Sequence, residues 1–429
     1  PGAYDIPRAA WRTRAVVTNT TPVGPYRGAG RPEATLSIER AMDALASELG
    51  VDPVDLRRRN LVPSDAFPYT SAVGEVYDVG DYARALDEVT RRVDLDGVRG
   101  EQARRRTRAD RRVIGVGVSV YVEVTGGGRK EFGSVEVEPD GSALVRVGTS
   151  SQGQGHETAF AQVVAGVLGM PVERIRVVHS DTAAVERGEG TFGSRSLQIG
   201  GSSVFEAAGQ VLEQARILAA ELLEASPEDV APVDGGLGVV GAPDRSVGWA
   251  DLATEATDRS PASGGLSARA RRFQPGFTYP FGAHAAVVEV DLDTGDVRLI
   301  RYVAVDDCGR VLNPMLAEGQ VHGGLAQGIA QALYEEVAYD ASGTPITSNL
   351  TSYLMPAASE LPAFETARTE TPTPLNPLGA KGIGESATVG STPAVVNATV
   401  DALAHLGVRH LDPPLSPERV WRAIVEATG

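Results

Sequence analysis

Four glycine-rich segments, each followed by an apolar run with helical character, constrain this 429-residue sequence more than any other feature. They are "TSSQGQGHET", "GTFGSRSLQIGGSS", "LAEGQVHGGLAQG" and "AKGIGESATVGSTP". Glycine lets the backbone turn tightly and approach a ligand closely. A helix N-terminus exposes unpaired N–H groups and the positive end of the helix dipole. The pattern therefore favours several loops that present helix N-termini to an anionic group.

The stretches between these segments alternate apolar and polar residues, as strands do. Hairpins are predicted over Pro139-Asp140-Gly141 and over Asp293-Thr294-Gly295. The likeness between Val135–Val145 and Val288–Arg298 suggests an internal structural duplication. Apolar residues at helical spacing predict helices over residues 32–49, 158–169, 202–225 and 323–336. The sequence therefore indicates an α+β (mixed α/β) fold in which hairpins are interleaved with helices.

An arginine-rich stretch at residues 97–112 divides the chain. Its composition is typical of a linker and equally of a charged, solvated helix, and the sequence leaves both open. We therefore expect two parts, residues 1–111 and residues 112–429. The residues that follow Pro1 have the pattern of a strand in the middle of a domain. We therefore also expect a fragment, a processed chain or a split subunit.

Charge and cysteine content exclude several classes of protein. With 40 Lys+Arg against 56 Asp+Glu, the formal net charge is −16, which argues against nucleic acid or an anionic membrane as the main partner. No apolar run approaches the ~20 residues of a membrane span, and a cytoplasmic location is expected. The single cysteine, Cys308, excludes an internal disulfide framework and an iron–sulfur cluster held by this chain alone. The six histidines show no metal-ligand spacing.

The glycine-rich segments also concentrate hydrogen-bonding side chains. Hydroxyls and one guanidinium, the chemistry expected around a pyrophosphate, come from Thr191, Ser194, Arg195 and Ser196. Amides, which donate and accept and so suit a heterocyclic ligand, come from Gln152, Gln154, Gln198, Asn313, Gln320 and Gln327. Neither a P-loop nor a G-x-G-x-x-G in a βαβ frame is present. The alternative is that these segments are turns whose amides satisfy the neighbouring backbone.

Five motifs occur in the order found in molybdenum hydroxylases: "VGPYRGAGRPEA", "SQGQGHETAFAQ", "GTFGSRS", "DDCGRVLNPMLAEGQVHGGLAQG" and "LGAKGIGES". Over essentially its whole length the sequence resembles the molybdopterin-binding large subunit of the xanthine dehydrogenase, aldehyde oxidase and aerobic carbon monoxide dehydrogenase family. The resemblance implies a C-terminal half, because the family's large subunit carries a comparable length upstream of "PGAYDIP". It also implies oxidative hydroxylation of an aldehyde or N-heterocycle C–H carbon, with water as the oxygen source.

The same resemblance implies molybdopterin cytosine dinucleotide with molybdenum as the cofactor and assigns roles to residues. Glu385 is the expected catalytic base, and Arg27 is the expected substrate-facing cation. The expected cofactor contacts are Gln154, Gly155 and His156 at the pterin and phosphates, Thr191, Ser194, Arg195 and Ser196 at the pyrophosphate and cytidine, Cys308, Asn313 and Gln320 at the dinucleotide tail, and Lys381 and Gly382 beside the metal. On the residues alone, Glu385 pointing into water and Arg27 in a surface salt bridge remain alternatives.

The sequence departs from the family at Gly28-Ala29-Gly30, where aerobic carbon monoxide dehydrogenases carry a copper-binding cysteine. We therefore expect a larger organic substrate than CO, in a pocket that Tyr121, Glu123 and Thr125 line. The resemblance implies four kinds of partner: the N-terminal half of the molybdenum subunit, a [2Fe–2S] subunit, an FAD subunit and a small organic substrate, assembled as a dimer of heteromers. The alternatives are a non-catalytic or isolated cofactor-binding domain and, from the loops alone, a nucleotide-binding transferase.

Overall fold

The computed structural model of the chain describes residues 1–127, 129–259 and 265–429. The helices in these ranges are α1 (Arg31–Leu49), α2 (Pro53–Asn60), α3 (Tyr82–Arg92), α4 (Leu95–Thr107), α5 (His156–Leu168), α6 (Ser202–Leu222), α7 (Trp249–Arg259), α8 (Pro314–Leu333), α9 (Ser386–Leu403) and α10 (Pro417–Thr428). The strands are β1 (Tyr69–Thr70), β2 (Val76–Tyr77), β3 (Arg112–Val122), β4 (Thr125–Gly126), β5 (Arg129–Val137), β6 (Ala143–Val147), β7 (Ile175–Val178), β8 (Val230–Val233), β9 (Gly236–Val239), β10 (Ala242–Gly248), β11 (Ser267–Gln274), β12 (Phe277–Thr278), β13 (Phe281–Asp291), β14 (Val297–Asp307) and β15 (Phe364–Thr369). None of these helices is long and apolar enough to cross a bilayer.

Two four-stranded sheets repeat one arrangement. In the first, β5 and β6 form an antiparallel hairpin, β7 lies parallel to β6, and helices α5 and α6 follow β6 and β7 in the chain. In the second, β13 and β14 form the hairpin, β15 lies parallel to β14, and helices α8 and α9 follow β14 and β15. We call these sets the first and second units. The mixed α+β class and the internal duplication are therefore confirmed.

The two units exchange their edge strands. Strand β3 directly precedes the first unit in the chain but pairs with β13 of the second. Strand β11 directly precedes the second unit but pairs with β5 of the first. The short strands β4 and β12, which follow β3 and β11, pair with each other where the two connections cross. Each sheet thus contains a strand from the other side of the crossing, so the units cannot separate without breaking backbone hydrogen bonds.

The second sheet is buried on both faces. One set of β13 side chains, Ala286, Val288 and Val290, packs with helices α8, α9 and α10. The alternate set, Ala283, Ala285 and Val287, packs with residues of α1 and α3. A strand buried on both faces reads as a continuous apolar run, which explains the stretch "HAAVVEV".

The arginine-rich stretch is a helix, α4, so the second of its two sequence interpretations is correct. Helix α4 packs on β3, and the amide of its buried Gln102 donates to the carbonyl of Ile114 at 3.1 Å. A buried ionic cluster ties the chain start to the same strand: Glu39 accepts hydrogen bonds from Arg57 Nε at 2.8 Å and from the amide of Val120 at 3.0 Å. Residues on both sides of position 111 therefore share one core, and a domain boundary there stays a prediction.

The third glycine-rich segment, expected to be a loop, is helical. Helix α8 starts nine residues before the predicted position, because the Asn313 side chain caps it and Pro314 occupies its first turn. The glycines of this segment serve packing against α9: a Cβ on Gly324 would lie 2.9 Å from Ala387 Cβ, and one on Gly328 would collide with Ser391. Gln320 and Gln327 consequently project from a helix and not from a loop.

Candidate functional site

Four loops follow the parallel strands of the two units, and each leads into a helix. The first loop (residues 148–155) precedes α5, and the second loop (residues 188–195) precedes a short π-helical turn and α6. The third loop (residues 308–313) precedes α8, and the fourth loop (residues 378–385) precedes α9. Because β6 and β7 are parallel, as are β14 and β15, their carboxyl ends deliver loops in pairs to one edge of each sheet.

Hydrogen bonds join these loops into one continuous region. Thr191 Oγ1 of the second loop donates to the carbonyl of Ser150 in the first at 2.6 Å. The amide of Lys381 in the fourth loop donates to the carbonyl of Cys308 in the third at 2.7 Å. A further contact, between Ser194 and Glu385, joins the two units and lies at the centre of the site described next.

Glu385 is held by two donors from distant parts of the chain. Ser194 Oγ donates to its Oε2 at 2.8 Å, and the amide of Gly28 donates to its Oε1 at 3.3 Å. The residue is partly buried at the N-cap position of α9. A carboxylate bound at both oxygens has a fixed orientation, so the interpretation that Glu385 simply points into water does not describe this structure.

The glycines around Glu385 are required by close approach. A Cβ on Gly382 would lie 2.4 Å from Ser194 Cβ and 2.6 Å from its carbonyl oxygen. Gly28 has φ +96°, and a Cβ there would also lie 2.7 Å from Pro32 Cδ. The fourth loop can therefore lie directly on the second only without side chains, which is the physical reason for glycine beside this carboxylate.

Arg27 lies beside Glu385 and is clamped by neutral acceptors. Its Nε donates to the carbonyl of Gly384, Nη1 donates to Gln327 Oε1 at 2.9 Å, and Nη2 donates to the carbonyl of Gln320 at 3.0 Å. Burial lowers the pKa of this guanidinium from its ordinary value, while the charge of Glu385 opposes that shift. Since its hydrogen-bond partners are amides and carbonyls, the observed Arg27 is not in the surface salt bridge that the sequence left open. We call Glu385, Ser194, Gly28, Arg27 and Gln320 the Glu385 site.

The N-terminus of α5 forms a second polar centre. Helix α5 follows Gly155, which has φ +75° and provides no side-chain cap. His156, the first helical residue, is buried, and its Nδ1 has no hydrogen-bond partner within the described residues. The buried hydroxyl of Thr149 also has no partner there. Burial lowers the pKa of His156, so its ring is neutral at physiological pH. We call Thr149, Gln154, Gly155 and His156 the α5 site.

The Arg195 side chain forms its contacts inside the protein. Its side chain is 1% exposed, its Nη1 pairs with Glu131 at 3.0 Å, and its Nη2 donates to the carbonyl of Lys130 at 2.9 Å. Next to it, the hydroxyls of Thr191 and Ser196 lie 3.0 Å apart and bond to each other. The guanidinium therefore fixes the second loop to β5.

Lys381 and Cys308 are also enclosed. The Lys381 ammonium donates to the carbonyls of Val79 and Tyr279 at 2.7 and 3.1 Å, away from Glu385. Burial, and then the neighbouring Asp307, raise the pKa of the Cys308 thiol to about 12. Both residues contribute backbone geometry where the third and fourth loops meet.

Asn313 and Gln320 lie at different places on α8. Asn313 caps the helix by accepting from the amide of Leu316 at 3.0 Å, and its amide donates to Gln162 Oε1 of α5 at 3.1 Å. Gln320 lies seven residues further on, about 10 Å along the helix axis, and contacts Arg27. The structure thus places Asn313 against helix α5 and Gln320 in the Glu385 site.

The three residues expected to line the pocket separate as well. Tyr121 is fully buried and donates its hydroxyl to Asp306 inside the second sheet. Thr125 Oγ1 accepts from the amide of Gly382 at 3.2 Å and so supports the fourth loop. Glu123 is 3% exposed, and burial, followed by the charge of Glu385, raises its pKa to about 8. Glu123 and Thr125 therefore belong to the wall behind the Glu385 site, whereas Tyr121 does not.

The main-chain groups of the site could not be identified from the sequence. The amide of Gly28 and the carbonyl of Gly384 bind Glu385 and Arg27, but every residue carries such groups and no letter of the sequence marks them. The glycines themselves were the available signal, since each marks a close approach.

Comparison with known proteins relates this geometry to a family. The molybdopterin cofactor-binding domain matches residues 88–362, and a second domain of the same description matches residues 1–61. The carbon monoxide dehydrogenase large chain of Hydrogenophaga pseudoflava is 41% identical over 99% of this chain and 55% of its own length. The nicotine 6-hydroxylase large subunit of Paenarthrobacter nicotinovorans is 37% identical over 98% of this chain and 53% of its own length. The chain thus spans about half the length of the curated relatives it matches.

Solved structures agree with the fold. Quinoline 2-oxidoreductase from Pseudomonas putida 86 superposes with a TM-score of 0.91 and 37% identity, over 99% of this chain and 56% of that one. The Cu,Mo-CO dehydrogenase superposes with a TM-score of 0.87 and 35% identity, over 93% of this chain and 52% of that one.

Proposed function

The chain belongs to the molybdopterin cofactor-binding family, and from that membership we propose that it is the Glu385-bearing half of a molybdenum hydroxylase large subunit. The proposed reaction is oxidative hydroxylation of an aldehyde or N-heterocycle C–H carbon, with water as the oxygen source. The observation that carries the proposal is the Glu385 site: a carboxylate oriented by Ser194 and Gly28 beside the guanidinium of Arg27. A fixed carboxylate next to a cation is suited to move a proton while negative charge develops on a substrate.

The cofactor we propose is molybdopterin cytosine dinucleotide, and the α5 site fits its anionic phosphates. His156 Nδ1, a buried polar atom without a partner among the described residues, lies at the uncapped N-terminus of α5, where an anionic group is favoured. Thr149 Oγ1, in the loop before α5, is likewise buried without a partner in the described part of the chain. We assign the pterin and its phosphate to Gln154, Gly155 and His156, and the pyrophosphate and cytidine to Thr191, Ser196 and Asn313. Ser194, which the sequence placed with the latter group, is assigned to the Glu385 site because its hydroxyl donates to that carboxylate. Arg195, Cys308, Lys381 and Gly382 shape the loops that carry these contacts. When bound, the cofactor supplies the molybdenum centre that accepts the two electrons of the oxidation.

Within the reaction, each residue of the Glu385 site has one task. Glu385 accepts the proton of the water-derived oxygen that attacks the substrate carbon. We assign that proton to Oε1, whose bond to the Gly28 amide is 3.3 Å long, because Oε2 is held more tightly at 2.8 Å by Ser194. Arg27 stabilises the negative charge that develops on the substrate, and Gln320 and Gln327 hold its guanidinium in place.

The loop Gly28-Ala29-Gly30 favours an organic substrate over CO. It carries no sulfur that a copper ion would need, although carbon monoxide dehydrogenase large chains are among the relatives. Other relatives and neighbours are named for N-heterocycles, namely nicotine 6-hydroxylase and quinoline 2-oxidoreductase. We therefore propose an aldehyde or an N-heteroaromatic compound as the substrate class.

The two electrons must leave through other chains. This chain has a single cysteine, and that cysteine is buried, so it cannot hold an iron–sulfur cluster alone. We propose a cytoplasmic complex with the N-terminal half of the molybdenum subunit, a [2Fe–2S] subunit and an FAD subunit, assembled as a dimer of heteromers.

Analysis of the native complex tests this function. We expect molybdenum and cytidine monophosphate in equal amounts, and hydroxylation of an aldehyde or N-heteroaromatic compound with an artificial electron acceptor. The isolated chain is expected to fold, but to hold no molybdenum and to show no turnover, because the cofactor would be enclosed on one side only. A native complex that holds the cofactor and oxidises neither class would favour the non-catalytic alternative. Full activity of the isolated chain would contradict the assignment as half of a site.

A further inference from the structure

Residues 7–26, here called the N-terminal strip, are exposed along their whole length and form neither helix nor strand. Large apolar side chains project from it without cover: Trp11, Val16, Val17 and Val23, of which Val17 is 102% and Val23 is 100% exposed. Of its backbone amides, only that of Thr21 donates a hydrogen bond within the described residues, to Tyr339 Oη at 2.8 Å. A segment with exposed apolar side chains and unpaired backbone amides has the properties of a strand that lacks its sheet.

The order of residues in the strip supports this interpretation. Since side chains alternate along a strand, Trp11, Thr13, Ala15 and Val17 would share one face. Arg12 and Arg14 would project from the other face, and neither forms an ion pair with any described residue. Such a strand would offer one mainly apolar face and one face on which Val16 lies beside two arginines.

A second exposed segment lies against the first. Residues 337–357, the C-terminal strip, expose five large apolar side chains: Val337, Ile346, Leu350, Leu354 and Met355. Tyr339 Oη bonds the amide and the hydroxyl of Thr21, both at 2.8 Å, and so joins the two strips. Among the described residues, nine large apolar side chains are more than 60% exposed, and seven of the nine lie in these strips. Such a concentration marks an interaction surface.

We propose that the two strips are the docking surface for the remaining half of the large subunit, which pairs a strand with residues 11–18 of the N-terminal strip. The inference rests on the proposed function, since it takes its partner from that assignment. Relatives are nearly twice as long as this chain, which covers 55% and 53% of two of them. A partner of that size has enough surface to cover both strips, and the free arginines favour carboxylates along its paired edge.

Docking at these strips also completes the Glu385 site. The N-terminal strip ends at Tyr26, directly before Arg27, and the C-terminal strip begins four residues after α8, the helix that supplies Gln320 and Gln327. A chain seated on both strips therefore lies against the residues that clamp Arg27. The remaining half supplies the missing side of the substrate pocket, so the site is complete only when that half has bound.

Hydrogen–deuterium exchange tests the proposal. The chain is measured alone and after co-expression with the remaining half of the large subunit as a separate polypeptide. We expect the amides of residues 13–18 to exchange freely in the isolated chain and at least about tenfold more slowly in the complex. Unprotected amides in the complex would overturn the proposal. Protection in the isolated chain through self-association would also overturn it, because the occupant would then be a second copy.

Proline substitution separates strand pairing from simple apolar contact. Val16→Pro and Val17→Pro each remove one N–H donor, and successive N–H groups of a strand point to opposite edges. Val16→Thr and Val17→Thr, the matched controls, keep the N–H group and the branched shape. We expect at least one proline variant to bind the other half about tenfold more weakly than its threonine control. Equal binding by prolines and controls would reject strand pairing. Binding is scored without turnover, so an inactive complex with a protected strip would reject only the proposed function.

Discussion

Ser194 Oγ lies 2.8 Å from Glu385 Oε2 and donates a hydrogen bond to it across 191 positions of the chain. Ser194 belongs to the first unit and Glu385 follows the parallel strand of the second, so this contact spans the junction between the units. The exchanged strands β3 and β11 hold that junction together. The paired strands β4 and β12 lie beside it, and Thr125 of β4 accepts a hydrogen bond from the amide of Gly382 in the fourth loop. The duplication therefore brings a donor and a carboxylate together, and neither unit builds the site alone.

Removing the Ser194 hydroxyl tests this contact. We expect Ser194→Ala in the assembled enzyme to lower kcat/KM by about tenfold to a hundredfold, since hydrogen bonds to charged groups contribute about 1.5–3 kcal/mol. Ser180→Ala is the matched control, as Ser180 also has a positive φ, 62°, but lies outside the site. An unchanged kcat/KM for Ser194→Ala would contradict the positioning role.

Glu385→Gln tests the base itself. Glutamine keeps the size of the side chain but cannot accept the proton, so kcat should fall by about 10²–10⁴ while molybdenum content stays unchanged. Glu426→Gln, at an exposed position of α10, serves as the control. Near-normal turnover of Glu385→Gln, measured as product formed per molybdenum, would remove Glu385 from the mechanism.

Gly382→Ala tests the close approach of the fourth loop to the second. The added Cβ would lie 2.4 Å from Ser194 Cβ, so the loops must separate. We expect a loss of about 1–3 kcal/mol in the free energy of unfolding, typical of overpacking, together with reduced kcat/KM. Gly319→Ala is the matched control: it lies on α8 with nothing within 4 Å of its added Cβ, and alanine favours a helix. Denaturant unfolding of the two variants should show opposite signs.

The local elements were predictable from sequence because their causes are local. Helix α1 follows from apolar spacing with Pro32 in its first turn, and both hairpins follow from their aspartate–glycine turns. Helix α8 was predicted to begin nine residues too late, because the glycine-rich segment ahead of residue 323 reads as a loop. Gly324 and Gly328 lie inside the predicted helix, but no neighbour in the sequence explains why they are glycine. Their reason is packing against α9, which is not a local property.

The candidate site was predictable as a list of segments but not as a geometry. The exchange of β3 and β11 leaves no trace in the sequence, since either strand pairs equally well by pattern with β5 or β13. The roles of Arg195 and Lys381 were likewise hidden, because a cation in a glycine-rich loop reads as a ligand contact until its buried partners are known.

Cys308 provides a test of burial in the third loop. With its pKa raised to about 12, the thiol is almost wholly protonated at neutral pH, and the side chain is enclosed. We expect no reaction with a thiol reagent in the folded chain at about pH 8, and reaction of one thiol per chain after unfolding in urea. Cys308→Ser provides the blank for both measurements. Rapid modification of the folded chain would show that this loop is open.

Glu123 makes the stability of the chain depend on pH. Burial and the charge of Glu385 raise its pKa from 4.5 to about 8, and its Oε2 has no hydrogen-bond partner among the described residues. Below about pH 4.5 the group is protonated in both the folded and the unfolded chain, and its contribution to stability is fully present. As the pH rises towards about 8, the unfolded chain releases this proton and the folded chain does not, so that contribution is lost.

Glu123→Gln removes this loss because its side chain is neutral at every pH. The stability of the variant relative to the wild type should increase from about pH 5 to about pH 8 by up to about 1.4 kcal/mol per pH unit and then level off. Denaturant unfolding of the chain at a series of pH values measures the difference, and subtracting the two curves cancels the other buried acids, Glu39, Asp307 and Asp401, which both proteins share. Glu426→Gln, exposed and remote, should run parallel to the wild type. Parallel curves for Glu123→Gln as well would mean that Glu123 is ionised in the folded chain, and that the wall behind Glu385 carries a second negative charge.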